Sequence, residues 1–229
     1  MIVFFDIGFT LLGGPSQGPA ARLLSQLGLP TNAKTWLNHL LFATPLHHPE
    51  ELADHVRRSY GLPVSQTISL IEELWDNQAG ESFALPGARE ALEQLQQAQI
   101  PFAFISNIWA PFLRGFMHNF PLDFEEYPIF ASFQQGCLKP DPELYRIALQ
   151  RTGYSPAQAV MIGDTYETDI APALNLGMKT VWLLHRPDKE RADLVRVMNR
   201  SQPAPQWAWA TLEQFTLDDL LTLLHPSIG

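Results

Sequence analysis

Short apolar runs alternate with amphipathic stretches along most of this chain. Residues 2–6, 101–106, 159–163 and 179–184 are dominated by apolar side chains. Runs of that length and composition predict strands buried on both faces of a parallel sheet. A weaker run, Pro128-Ile129-Phe130-Ala131, predicts one more. Helical patterns lie between them. Over 87–98, Ala88, Ala91, Leu92 and Leu95 share one face, and Pro86 stands in a first-turn position. Asp141 is placed to N-cap a helix opening at Pro142, and Gly153 to stop it. Such strand–helix alternation predicts an α/β domain with a doubly wound parallel sheet.

The alternation fails between Gly13 and Phe83. Helical stretches near 18–27, 33–43, 49–59 and 66–78 are punctuated there by Gly28, Pro30, Pro45, Pro49, Gly61 and Pro63. An insertion of ~70 residues is too long for a bare loop. Residues 15–82 are therefore expected to form a small all-helical domain, set into a core built from 1–14 and 83–229. Towards the end, 185–206 reads as surface structure. Trp207 and Trp209 suit a short edge strand or a packed turn. Thr211 to Leu224 reads as one amphipathic helix, with Leu212, Phe215, Leu217, Leu220, Leu221 and Leu224 available to the core.

Composition narrows the function classes. The 229 residues are 46% hydrophobic and 17% charged, which is globular. A net charge of −9 argues against binding nucleic acid or an anionic membrane through bulk electrostatics. A small anionic substrate stays open, because a metal and a lysine can invert the potential locally. Cys137 is the sole cysteine, so no intramolecular disulfide forms and a reducing compartment fits. No basic start leads into a long apolar run, and no stretch has the length of a membrane span. The cytoplasm is the expected location. Nothing in the sequence sets the oligomeric state.

The candidate chemistry sits at the ends of the apolar runs. Asp6 closes the first run, Ser106 and Asn107 follow Phe102-Ala103-Phe104-Ile105, and Lys139 opens Lys139-Pro140-Asp141-Pro142. Asp164 and Asp169 lie in Gly163-Asp164-Thr165-Tyr166-Glu167-Thr168-Asp169. Taken singly, Asp6 would cap a turn, Ser106 would be a turn residue and Lys139 a solvated loop residue. A carboxylate that ends a buried strand is also how a parallel sheet presents a nucleophile. His39, His47, His48, His55, His118, His185 and His225 are scattered. The adjacent pair His47-His48 lacks the spacing of metal ligands.

These four segments, in this order, resemble the four motifs of the haloacid dehalogenase (HAD) superfamily. Most members are Mg-dependent phosphotransferases and phosphatases. The Lys-Pro-Asp-Pro segment with Tyr145, and Ile162-Gly163-Asp164-Thr165 with Thr168-Asp169-Ile170, match closely. The resemblance implies a Rossmann-like core, with the helical insertion as a C1-type cap that closes over the site and selects substrate. It implies Asp6 as the nucleophile that forms an aspartyl-phosphate. Mg²⁺ would be held by Asp6, the backbone carbonyl of Gly8 and Asp164, with Asp169 supporting it or binding through water. Thr10, Ser106, Asn107 and Lys139 would hold the phosphate of a small phosphorylated metabolite.

The first motif departs from the family. Its phosphatases usually read Asp-x-Asp-Gly-Thr, where the second Asp protonates the leaving group and later activates water. Here Gly8 and Phe9 stand in place of Asp and Gly. One reading is a hydrolase that favours good leaving groups or takes its acid from elsewhere. Another is a different HAD reaction, at a C–halogen or C–P bond. The intact Asp164 and Asp169 weigh against the C–halogen case, and Lys34, the one lysine of the insertion, has no catalytic surroundings to support the C–P case. The last is a degenerate member that binds Mg²⁺ and a phosphorylated ligand without turnover.

Overall fold

The computed structural model describes residues 1–224; His225 and the side chain of Leu224 lie outside that description. Eight strands are seen among the described residues: β1 (Ile2–Phe5), β2 (Leu12–Gly13), β3 (Phe83–Ala84), β4 (Phe102–Ser106), β5 (Ile129–Ala131), β6 (Ala159–Gly163), β7 (Lys179–Leu183) and β8 (Trp207–Trp209). Six of them form one sheet in the order β5-β4-β1-β6-β7-β8. Every neighbouring pair in it is parallel. The strands expected from apolar runs are all present, and Trp207–Trp209 is an edge strand.

The helices are α1 (Pro19–Gln26), α2 (Ala33–Ala43), α3 (Pro49–Tyr60), α4 (Val64–Gly80), α5 (Ala88–Gln97), α6 (Ala110–Asn119), α7 (Ser132–Gln135), α8 (Pro142–Thr152), α9 (Ala171–Leu176), α10 (Arg191–Met198) and α11 (Leu217–Leu224). Strand residues alternate between two apolar layers. Val3, Phe5, Phe104 and Ile162 pack with Ala91, Leu95 and Phe116 of α5 and α6. Phe4, Ala103, Ile105 and Met161 pack with Leu144 and Ala148 of α8 and Ala173 of α9. Both sheet faces are thus covered, as all-parallel sheets require. Asp141 caps α8 through a bond from the Glu143 amide, and Gly153 ends it with φ of 77°.

Helices α1 to α4 gather around an apolar cluster of their own, which includes Leu23, Leu37, Leu52, Val56, Ile71 and Trp75. Trp109 of the sheet-bearing part joins that cluster, edge-on to Trp75 at 5.3 Å. The chain leaves and re-enters the sheet-bearing part along a small antiparallel ribbon, β2 with β3.

Two expectations need correction. The final segment is not one helix: a 3-10 turn at Leu212–Gln214 precedes α11. Phe215 is extended, and the Thr216 hydroxyl accepts from the Asp219 amide, so Thr216 starts a new helix. That break rotates the apolar stripe. Leu212, Phe215 and Leu220 are buried while Leu221 is 43% exposed. The stretch 185–206 is surface structure as expected; it carries α10, and its buried residues are Glu190 and Asp193.

Candidate active site

The site follows from strand order. Strand β1 lies between β4 and β6, so the chain continues on opposite sides of it. The carboxyl ends of strands flanking such a switch point form a crevice. Asp6, Ser106 and Asp164 each stand at one of those three ends and are all buried. The Lys139 ammonium joins Asp6 to Asp169. It donates to Asp6 Oδ1 at 2.6 Å, Asp169 Oδ1 at 2.6 Å and the Ile105 carbonyl at 3.0 Å. The Ser106 hydroxyl donates to Asp6 Oδ1 at 2.9 Å, and the Thr10 hydroxyl reaches Asp6 Oδ2 at 3.3 Å.

Asn107 has a structural task that its sequence position did not reveal. Its carboxamide accepts from the Lys139 amide and donates to the Lys139 carbonyl, both at 2.8 Å. It thereby fixes the backbone that aims the lysine, while still bordering the cavity. Asp169 is aimed by a wide helical turn over Tyr166–Ile170 and by the Thr165 amide, which donates to its Oδ2 at 2.9 Å. Any side chain at Gly163 would collide with Asp169. The Tyr145 hydroxyl holds the same turn through the Thr168 carbonyl.

Asp6, Asp164 and Asp169 each offer an oxygen within 4.8 Å of the others. Burial, then the charges of Asp169 and Asp6, raise the Asp164 carboxyl to about 7. Asp169 is also raised, first by burial, with Lys139 opposing. Burial alone would lower Lys139, but Asp169 and Asp6 outweigh it and hold the ammonium above its ordinary value. At the core of the centre three carboxylates outnumber the single Lys139 ammonium. Clustered carboxylate oxygens short of a cation suit a hard divalent ion such as Mg²⁺.

Two cations here were not picked out from the sequence. Arg186 forms an ion pair with Asp164 Oδ2, and its guanidinium lies over the Phe9 ring, 3.8 Å from the centroid. The Lys189 ammonium donates to the Thr165 hydroxyl at 3.0 Å. Both follow β7, at the same edge of the sheet as Asp6. That position was a usable signal, because crevice residues of parallel sheets come from carboxyl ends. Among the described residues, the cluster with metal-ligand geometry consists of Asp6, Asp164 and Asp169 and includes no histidine. The His47 and His48 amides instead donate to Glu51 at the start of α3.

Gly8 and Phe9 follow Asp6 after Ile7. A β-carbon on Gly8 would meet only Phe112, at 3.8 Å. The backbone there would accept a side chain, yet none projects. Phe9 adopts φ of 58°. That left-handed conformation costs a non-glycine residue roughly 1–2 kcal/mol. The Arg186 stack is worth about 0.5–2 kcal/mol and offsets it. A cavity of about 240 Å³ joins these groups to Gly14, Phe42, Gln78, Trp109 and Phe112.

Comparison with known proteins agrees with this architecture. The family model for haloacid dehalogenase-like hydrolases matches residues 14–177. That span holds Ser106, Lys139, Asp164 and Asp169, while Asp6 and Gly8 precede it. The chain belongs to the haloacid dehalogenase-like hydrolase family. It is 28% identical over 201 residues to the glyceraldehyde 3-phosphate phosphatase of Pyrococcus abyssi, covering 79% of this chain and 80% of that protein. It is 34% identical over 103 residues to the enzyme of the same name from Pyrococcus furiosus, where the match covers 43% of this chain and only 41% of the relative. A HAD family enzyme from Bacteroides thetaiotaomicron, solved with magnesium and inorganic phosphate, superposes with a TM-score of 0.58 at 18% identity. The match covers 80% of this chain and 93% of that one, a likeness of fold. No helix among the described residues is long and apolar enough to cross a membrane.

Proposed function

We propose that this protein is a Mg²⁺-dependent phosphatase of small phosphorylated metabolites, acting through an aspartyl-phosphate at Asp6. The observation that carries this reading is the setting of Asp6. Lys139 and Ser106 both hold Oδ1, while Oδ2 has only the long Thr10 contact, and two further carboxylates stand beside it. One oxygen is thus anchored and the other is free to attack. Relatives named as glyceraldehyde 3-phosphate phosphatases support the same substrate class.

Bound Mg²⁺, held by Asp6, Asp164 and the Gly8 carbonyl, would supply the charge that lets a carboxylate meet a phosphate dianion. Arg186 would yield its contact with Asp164 or share that carboxylate. The Asp6 oxygen attacks phosphorus as the ester P–O bond breaks, and the leaving oxygen takes its proton from water. Water then attacks the aspartyl-phosphate, restoring the Asp6 carboxylate and releasing phosphate. Lys139 offsets charge in both steps and keeps Asp6 oriented. Ser106 and Thr10, released from Asp6, bond phosphate oxygens; Asn107 keeps Lys139 in place and borders the phosphate. Residues 15–82 act as the cap domain and 1–14 with 83–229 as the catalytic core.

Gly8 favours a second reading, a protein that binds Mg²⁺ and a phosphorylated ligand without turnover. A screen of aryl, acyl and alkyl phosphates with Mg²⁺ separates the two, with beryllofluoride as the binding probe. The phosphatase turns over at least p-nitrophenyl or acetyl phosphate, and Asp6→Asn abolishes that turnover. Wild-type rates in Asp6→Asn would refute the aspartyl-phosphate mechanism.

A further inference from the structure

Gln78 lies in the last turn of α4, far in sequence from every residue of the carboxylate–lysine centre. It is 3% exposed, and its Oε1 has no hydrogen-bond partner among the described residues. It borders the same cavity as Asp6, Lys139 and Asp164. A buried, unpaired amide oxygen costs stability, so it is rarely kept without a use. Its cavity neighbours away from the carboxylates include Phe42, Trp109 and Phe112, none of which satisfies it.

The chain just after Gln78 is held firmly. The adjoining turn packs against α6, where a side chain at Gly115 would collide with Ser82 and crowd the Ala79 carbonyl. The Ser82 hydroxyl donates to the Ala79 carbonyl at 2.6 Å. The Asn119 amide donates to the Gly115 carbonyl at 2.9 Å and reaches the Ser82 hydroxyl and carbonyl, each at 3.4 Å. The carboxamide is thus presented from the end of the insertion that is tied to the sheet-bearing part. Its placement relative to Asp6 is set by packing.

We infer that Gln78 is a specificity residue that recognises a hydroxyl group on the carbon chain of the phosphorylated substrate. This rests on the phosphatase reading for the phosphate itself. A hydroxyl both donates and accepts, so it satisfies the carboxamide in either orientation. An anionic group would face an unpaired acceptor oxygen. An ammonium only donates, so it could satisfy the amide oxygen but never the amide nitrogen. The aromatic walls take the carbon chain, and the small volume suits a compound of few carbons. The substrate class is a short hydroxylated phosphate monoester.

The test compares glycerol 3-phosphate with n-propyl phosphate, which lacks the hydroxyls. Both are measured by calorimetry in Mg²⁺ and as competitors of p-nitrophenyl phosphate turnover, for wild type, Gln78→Leu and Gln78→Met. Wild type should bind glycerol 3-phosphate about tenfold tighter, and both variants should lose that ratio. Their melting temperatures should hold or rise by a few degrees, because an unpaired polar group has left the interior. A ratio unchanged by the substitutions, no preference in wild type, or no binding of either ester overturns the inference. So does a fallen melting temperature, which would make Gln78 a structural residue. Absence of turnover on any phosphate ester would instead sink the phosphatase reading, while the calorimetric ratio would still decide the role of Gln78.

Discussion

Gly8→Asp is the perturbation that bears most directly on the chemistry. The site can receive it. A β-carbon at Gly8 has its nearest neighbour, Phe112, at an ordinary 3.8 Å, and Gly8 is not among the glycines with positive φ. The introduced carboxyl would join Asp6, Asp164 and Asp169 around one cavity. Like charge and burial both raise its pKa, which suits a group that must hold a proton near neutral pH. A positioned general acid contributes roughly 10²–10⁴-fold, equivalent to about 3–5 kcal/mol of barrier. That help falls on poor leaving groups. Wild type should therefore show a steep dependence of single-turnover rate on leaving-group pKa across p-nitrophenyl, phenyl and alkyl phosphates. Gly8→Asp should raise alkyl phosphate hydrolysis by about 100-fold or more and change p-nitrophenyl phosphate little. A companion double variant adds Phe9→Gly. It removes a left-handed phenylalanine and an Arg186 stack of similar and opposite worth, so it alters the loop with little net change in stability. A shallow wild-type slope would refute the reasoning, because it would mean that another residue already delivers the proton.

Two further outcomes follow from the charge balance. Lys139→Met should destabilise the metal-free protein by about 3–5 kcal/mol in chemical denaturation, since it strands the buried carboxylates of Asp6 and Asp169; a loss below about 1 kcal/mol would show that the lysine does not hold the centre together. The raised Asp164 carboxyl gives the pH dependence: the folded state keeps a proton that the unfolded chain releases between pH 3.8 and about 7, so this contribution to stability is full below that window and lost as pH rises through it. Mg²⁺ displaces that proton, so its effect on the melting temperature should grow from about pH 5 to about pH 7.5. An increment independent of pH would count against Asp164 as a ligand.

Much of this architecture is legible in the sequence because it rests on long, uniform signals. The strands at Phe102–Ser106 and Ala159–Gly163 are buried on both faces and read as unbroken apolar runs. Asp141 and Gly153 mark both ends of α8 by ordinary capping chemistry. The two-residue strands β2 and β3 are invisible there, because two residues carry no period. The last helix reads too long, because the Thr216 cap lies inside a stripe that looks continuous. Within the site, the motif residues can be named, but not what holds them. Asn107 clamping the backbone of Lys139, and Gly163 making room for Asp169, depend on approaches between separate segments of the fold. Arg186 and Gln78 carry no motif at all. Arg186 is signalled only by its place after β7, and the place of Gln78 becomes apparent only once α4 is brought to the same cavity.

The ribbon of β2 and β3 has a consequence for how such a molecule can change. Leu12 pairs with Ala84 and Gly13 with Phe83, so the outgoing and returning chains lie side by side. Paired strands stand about 5 Å apart, whatever is strung between them. The sheet-bearing part thus sees the insertion as a closed loop with fixed ends, and closure entropy rises only slowly with the length of what it carries. Segments of quite different size can be exchanged at that junction without disturbing the strand order that gathers Asp6, Ser106 and Asp164. The limit is the contact of α4 with α6 around Gly115, which any replacement must satisfy or do without. The molecule thus has a socket: the carboxylate–lysine centre can stay constant while the helical insertion is traded.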